Sequence, residues 1–206
     1  MADEHLQRLR RAWDAGDLAA QTRLLLGRMR SGELSQERVR SLWRLGWQVA
    51  GSALGAGEPE PIGLMLEKLL HETQPFQVRV AVAAARSLER LLAHWEATEP
   101  DGWRQTAPRA CLAATEAWSV ALTPEAADAI WDHDCSFSSD PAVLVAEHAS
   151  SIVTGQGGLE DAVWEAIGAT SEEEVRRSFV AEVVPWALGL GDPVAERVAA
   201  RAMTSE

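Results

Sequence analysis

The segment Trp131-Asp132-His133-Asp134-Cys135 places four potential metal ligands or acid–base groups next to one another, and Glu147 and His148 follow on the next predicted helix. Consecutive helical residues point in different directions, so a metal site would need a loop at 132–135 that folds back toward that helix. The spacing matches no known ligand pattern. A helix end followed by a polar loop explains the segment equally well, so we expect neither a bound metal nor a cofactor.

Nucleophilic catalysis by a cysteine is the second chemistry to consider. The candidate pairs join Cys135 or Cys111 to His133, His148 or His94. Activation needs a thiol close to a base and in a positive field, whereas residues 110–175 hold thirteen carboxylates and no Lys or Arg. Cys111 also falls in an apolar stripe. We therefore predict that the chain is not an enzyme, and an enzyme built on His133, Cys135 and His148 is the less favoured alternative.

Charge is graded along the chain. Residues 1–50 carry nine cations and six anions, residues 51–110 six and eight, and residues 111–206 four and seventeen, for a net charge of −12. Binding a phosphate backbone takes clustered cations, which occur here only near the N-terminus, so nucleic acid is not an expected partner. A surface of one sign speeds encounter with a partner of the opposite sign. The expected partner is therefore a basic protein.

Neither a membrane span nor an export signal is evident. No apolar run approaches the roughly 18 residues that a membrane helix needs. The opening residues, MADEHLQRLRRAW, place acids and arginines where a signal peptide would have an apolar core. We expect a cytoplasmic protein with no membrane partner.

Apolar residues recur with the period of a helix, and no strand pattern appears. One stripe is formed by Val78, Val82, Ala85, Leu88, Leu92 and Trp95, with Arg79, Arg86, Glu89 and Arg90 off that face. Helices are predicted near 4–15, 17–30, 35–54, 61–72, 75–97, 106–121, 124–132, 141–153, 159–167, 172–188 and 193–203. We expect Pro185 to kink or shorten the helix at 172–188.

Four helix starts carry capping signals: Thr123-Pro124, Asp140-Pro141, Asp192-Pro193, and Ser171 with Glu174. Several starts in this half recur about every 17 residues, so a helix pair would recur near 34, the size of a helical-hairpin repeat. The predicted fold is all-α, with about ten helices stacked as antiparallel pairs in the manner of helical repeats. We expect residues 1–54 to form an N-terminal helical module and residues 61–206 an acidic, helical-repeat-like region, or both to belong to one continuous domain.

Within residues 8–46, Ala15-Gly16-Asp17-Leu18 and Ser31-Gly32-Glu33-Leu34 each combine a turn with a helix start. This segment resembles the N-terminal helical module of uncharacterised HEAT-like bacterial proteins, among them helical immunity proteins of polymorphic-toxin systems. The resemblance covers about a fifth of the chain. It implies a protein-binding role, and no catalytic residue carries over from it.

Tryptophan supplies most of the aromatic residues, with nine in the chain. Trp43, Trp95, Trp118 and Trp164 fall on apolar stripes and are expected in the core. Trp103 and Trp131 are less easily placed inside, and an exposed tryptophan beside carboxylates is what an interface with a basic protein would contain.

The predicted partner-binding residues are Trp103, Glu125, Asp128, Trp131, Asp132, Asp134, Asp140, Glu147, Glu160, Asp161 and Glu165. The favoured function is that of a bacterial immunity protein that neutralises a basic toxin. A helical-repeat scaffold or regulatory protein with a concave groove is the alternative.

Overall fold

The computed structural model describes residues 2–133 and 138–204. In these residues it contains thirteen α-helices, one 3-10 helix and no strand. The helices are α1 (Ala2–Asp14), α2 (Leu18–Arg30), α3 (Gln36–Arg44), α4 (Gln48–Leu54), α5 (Ile62–Leu69), α6 (Gln74–Arg86), α7 (Glu89–Thr98), α8 (Gly102–Ala121), α9 (Pro124–Asp128), the 3-10 helix (Ala129–Asp132), α10 (Pro141–Val153), α11 (Leu159–Ala169), α12 (Glu172–Leu188) and α13 (Pro193–Thr204). The predicted all-α class is confirmed, and the helices are more numerous than the expected ten or so.

Two long predicted helices are each divided in the structure. The helix expected at 35–54 is α3 and α4, separated by a turn in which Gly46 has a φ of 103°, a conformation that favours glycine. The helix expected at 75–97 is α6 and α7, separated at Ser87 and Leu88, where the Ser87 hydroxyl donates to the carbonyl of Ala84. Apolar residues continue through both turns, so periodicity alone does not reveal them.

The four capping signals lie where the sequence predicts them. In each case the side chain of the capping residue accepts a hydrogen bond from a backbone N–H in the first turn of the helix. Thr123 accepts from Ala126, Asp140 from Ala142, Ser171 from Glu174, and Asp192 from Val194 and Ala195. Pro185 lies inside α12, which still extends to Leu188. The proline therefore does not shorten this helix.

At the centre of the molecule α6 contacts α8, α10, α11 and α12. Every residue of α6 from Val78 to Ala85 is buried, including Arg79, of which 2% is exposed. The prediction of a single apolar face with Arg79 outside it is therefore wrong for α6. A helix buried on all sides needs neighbours on all sides. Contacts that radiate from one central helix give no support to the predicted stack of antiparallel pairs.

The N-terminal helices are joined to α12 by two arginines. Arg28 of α2 donates from Nη1 to the carbonyl of Leu188 at 2.9 Å. Arg176 of α12 donates to the carbonyls of Arg44 at 2.6 Å and Glu60 at 2.7 Å. One buried hydrophobic cluster includes residues from both sides of the predicted boundary at 55–60.

In the part of the chain that the structure describes, no helix is both long enough and apolar enough to cross a membrane.

Candidate protein-binding surface

Helix α11 has one buried and one exposed face. Leu159, Ala162, Val163 and Ala166 are buried in the common hydrophobic cluster. Trp164 is 49% exposed, so its predicted place in the core is wrong. The buried positions follow the i, i+3, i+4, i+7 spacing of one helix face, and Trp164 comes one residue after Val163, about 100° further round the helix. The sequence therefore contained the signal that places this side chain outside.

Trp164 lies beside two carboxylates. Glu160 and Asp161 are exposed and precede it by four and three residues, which puts all three side chains on the same side of α11. We call Glu160, Asp161 and Trp164 the α11 face. Neither carboxylate forms an ion pair with any described residue. Both lie in the first turn of α11, where the partial positive charge of the helix end also favours them.

The beginning of α11 is held by a close backbone contact. Gly158, the N-cap residue, has a φ of 112°. A Cβ atom at this position would lie 2.3 Å from the carbonyl oxygen of His148 in α10. Only glycine fits such a contact without displacing the backbone. The α11 face is therefore positioned by the packing of α11 against α10.

A second exposed tryptophan lies in the 3-10 helix that follows α9. Trp131 in the 3-10 helix is 64% exposed, and Asp128, three residues earlier, is exposed as well. Asp128 has helical backbone angles as the N-cap of the 3-10 helix, and residues three apart lie on the same side of either kind of helix, so the two side chains share one side of this segment. Asp132 is exposed next to them, while Ile130 is buried in the hydrophobic cluster. We call Asp128, Trp131 and Asp132 the Trp131 cluster.

The remaining predicted carboxylates are distributed over several elements. Glu125 is exposed in the first turn of α9, Asp140 is half-buried as the N-cap of α10, and Glu147 and Glu165 are half-buried. None of these four forms an ion pair with a described residue. Asp134, the last predicted carboxylate, lies outside the described residues.

Trp103 is placed apart from the Trp131 cluster. It is 52% exposed at the beginning of α8, whereas α9 follows the other end of this 20-residue helix, roughly 30 Å away. The guanidinium of Arg104 lies 5.3 Å from the centroid of the Trp103 ring. The Trp103 ring therefore already contacts a cation of its own chain, whereas the predicted interface surrounds its tryptophans with carboxylates.

One carboxylate of the acidic region is not on the surface at all. Glu116 of α8 is fully buried and accepts hydrogen bonds from Arg86 of α6 and from Arg197 and Arg201 of α13. Burial by itself raises the pKa of the Glu116 carboxyl. The charge and hydrogen bonds of Arg86, together with those of the α13 arginines, lower the pKa by more than burial raises it, so the net pKa is below its usual value. Glu116 therefore stays ionised and joins three helices.

Asp192 and Arg79 form a second internal ion pair. Both terminal nitrogens of Arg79 contact the Asp192 carboxylate, Nη2 at 2.9 Å, and Nη2 also donates to the carbonyl of Ser119. Burial raises the pKa of Asp192, and the hydrogen bond from Arg79 with those from the first turn of α13 more than offsets it, so the net pKa is lowered. Sequence spacing gave no indication of this pair.

The catalytic alternative draws on residues that the structure describes only in part. His133 and His148 are half-buried, and Cys135 lies outside the described residues. Within the described residues no group of three or more His, Cys, Asp or Glu side chains is arranged to hold a metal ion. Cys111 is fully buried, as its apolar stripe predicts, and its Sγ lies 3.6 Å from the carbonyl oxygen of Ala146, to which the thiol donates.

Comparisons of this chain with protein-family models, with curated proteins and with solved structures found no match. The resemblance of residues 8–46 to the helical module of HEAT-like bacterial proteins stays a prediction. The α11 face and the Trp131 cluster are the features of the structure that bear on function. Each exposes an aromatic ring beside carboxylates that have no ion-pair partner among the described residues.

Proposed function

We propose that this chain is a non-enzymatic, cytoplasmic protein-binding module that recognises a basic protein through its acidic surface. The observation that carries the proposal is the α11 face, where Trp164 is half exposed beside Glu160 and Asp161. These carboxylates have no ion-pair partner among the described residues, so their charge is available to a partner. The Trp131 cluster presents the same combination on a different element.

The two kinds of side chain have different roles in such a surface. Carboxylates attract a basic partner over distance and raise the association rate. An exposed tryptophan has a large apolar surface, which binding removes from water. Tryptophan is also among the residues that most often dominate the binding energy of an interface. The α11 face combines both within two turns of one helix.

The most concrete form of this function is that of a bacterial immunity protein that neutralises a toxin. It accords with the resemblance of residues 8–46, which implies protein binding without catalysis, and with a net charge of −12. An inhibitor must meet its target before the target acts, and a strongly charged surface complementary to the target speeds that encounter.

Co-expression tests this function directly. The protein encoded beside this gene would be expressed in a bacterial host with and without this chain, and growth would be measured. We expect growth to stop with the neighbouring protein alone and to recover when this chain is present. A neighbouring protein that is harmless, or one whose toxicity this chain does not relieve, would contradict the immunity role.

Variants of the same assay test the surface. Trp164→Ala and the double reversal Glu160→Lys with Asp161→Lys should each abolish the recovery of growth. Glu58→Lys is the matched control, because Glu58 is exposed, forms no ion pair among the described residues and precedes α5, outside the acidic region. Full recovery with both α11 variants would show that another surface binds the partner.

A further inference from the structure

A cleft on the N-terminal side of the molecule is separate from the acidic surface. It lies between the end of α1, the beginning of α2, the α3–α4 turn and α12, and has a volume of about 300 Å³. Its apolar walls are Trp13, Leu18, Trp47, Val49 and Val180. We call it the Trp13 cleft. Small-molecule sites in proteins begin at about this size and have this predominantly apolar and aromatic lining.

One lining residue of the Trp13 cleft carries a buried polar atom that receives no hydrogen bond from the described residues. The side chain of Gln21, also part of the lining, is only 3% exposed. Its Nε2 donates to the carbonyl of Ala12 at 3.0 Å, which fixes the orientation of the amide, because the reverse orientation would bring two oxygens together. Gln21 Oε1 is buried and receives no hydrogen bond from any described residue. Buried amide oxygens are normally paired, so this acceptor marks a position for a donor.

The other lining residues define the shape and charge of a ligand. The rings of Trp13 and Trp47 lie 5.9 Å apart with their planes at 53°, and such rings favour contact with another flat ring. Among the described residues no Asp, Glu, Lys or Arg side chain lines the cleft. A charged ligand would lose its hydration there without gaining an ion pair, so a neutral ligand is favoured.

We propose that the Trp13 cleft binds a compact, neutral aromatic molecule whose single N–H or O–H donates to Gln21 Oε1. This oxygen is shielded from solvent, so the proposal requires a lining side chain to move when the ligand binds. Leu18, the first residue of α2, is the most exposed apolar residue of the lining and is the side chain that we infer moves. The inference does not depend on the proposed protein-binding function, since none of the predicted partner-binding residues lines the cleft.

Indole and benzofuran are suitable probes, because they have the same size and shape and differ in that only indole carries an N–H donor. Their dissociation constants would be measured for the full-length chain by isothermal titration calorimetry. We expect indole to bind saturably and benzofuran to bind about tenfold more weakly, the ratio that one net hydrogen bond provides. Gln21→Leu should bind the two probes with equal affinity. Gln156→Leu, which changes an exposed loop glutamine, should retain the tenfold difference.

A second variant separates loss of the cleft from loss of folding. Val180→Phe enlarges a lining side chain from α12 and should abolish binding of both probes while the circular dichroism spectrum stays helical. Absence of saturable indole binding to the unchanged chain would overturn the proposal. Equal binding of indole and benzofuran, or indole binding that survives Val180→Phe, would overturn it as well.

Discussion

Glu116 of α8 accepts two hydrogen bonds from Arg197 of α13 on a single oxygen, from Nε at 3.0 Å and from Nη2 at 2.9 Å. The two residues are 81 positions apart in the chain. Arg197 also contacts Glu182 of α12, so the last helix is tied by charge to two others. Val194 is the only fully buried residue of α13 among those described, and Val198 packs against the hydrophobic cluster, so ion pairs as well as apolar contacts connect this helix to its neighbours.

Replacing Glu116 by Gln should lower the free energy of unfolding by about 3 kcal/mol, because removing one partner of a buried ion pair leaves the other charges uncompensated. Urea denaturation followed by circular dichroism would measure the change. Glu165→Gln is the matched control, since Glu165 is half-buried and has no ion pair among the described residues. A loss below about 0.5 kcal/mol for the Glu116 variant, the size of an ordinary surface change, would contradict the role of the cluster.

Stability should fall in acid because two internal carboxyls have lowered pKa values. For a carboxyl whose folded pKa is below its unfolded pKa, the stabilisation is complete above the unfolded value and is lost as the pH falls toward the folded value. Glu116 and Asp192 both belong to this class. The free energy of unfolding should therefore decline below about pH 4 to 5, where unfolded carboxyls begin to bind protons.

The double variant Glu116→Gln with Asp192→Asn provides the control for this pH dependence. Neither replacement side chain titrates, so the decline in unfolding free energy between pH 7 and pH 3 should be smaller in the variant than in the unchanged chain. Equal declines in the two proteins would assign the acid sensitivity to other groups.

Gly158→Ala should be strongly destabilising, because the added Cβ would meet the His148 carbonyl at 2.3 Å in a backbone conformation that L-residues avoid. We expect a loss of about 3 kcal/mol or more, measured by thermal or urea unfolding. Gly155→Ala is the comparison, since Gly155 has a φ of 76° and open space around it. That variant should lose only about 1 kcal/mol from backbone strain. Similar losses for both would mean that the contact with α10 is unimportant.

Association with a basic partner should slow markedly as salt rises, because steering beyond the Debye length of about 8 Å at physiological ionic strength is screened. Reversal of Asp132, Asp134 and Glu147 to Lys should lower the association rate. Trp131→Ala should act mainly on the dissociation rate, by about 2 kcal/mol or more if the ring is a hot spot. Surface plasmon resonance at several salt concentrations would resolve the two rates.

Reversal of Arg8, Arg10 and Arg11 to Glu is the control for this series, because these residues lie on α1, outside the acidic region. The two rate constants should barely respond to it. Binding that does not depend on salt would contradict steering by the acidic surface, and binding that is lost with the α1 arginines and survives the acidic changes would place the interface on α1.

The caps and the helical class of this protein follow from the sequence because they depend on residues close together in the chain. Thr123, Asp140 and Ser171 each accept a hydrogen bond from a backbone N–H two or three residues ahead, so a short window contains both partners. The exposure of Trp164 could also be predicted from the local sequence. The apolar positions of α11 at 159, 162, 163 and 166 follow one helix face, and position 164 does not belong to that face.

Other features were decided by the tertiary structure. Arg79 lies among apolar residues in the sequence, and its counter-ion, Asp192, is 113 positions away. Glu116 is one of thirteen carboxylates in residues 110–175 and differs from the others only in what surrounds it: arginines 30, 81 and 85 positions distant. The local pattern assigns charged residues to the surface, because burying a lone charge is costly. Only the fold brings together the opposite charges that offset the cost of such burial.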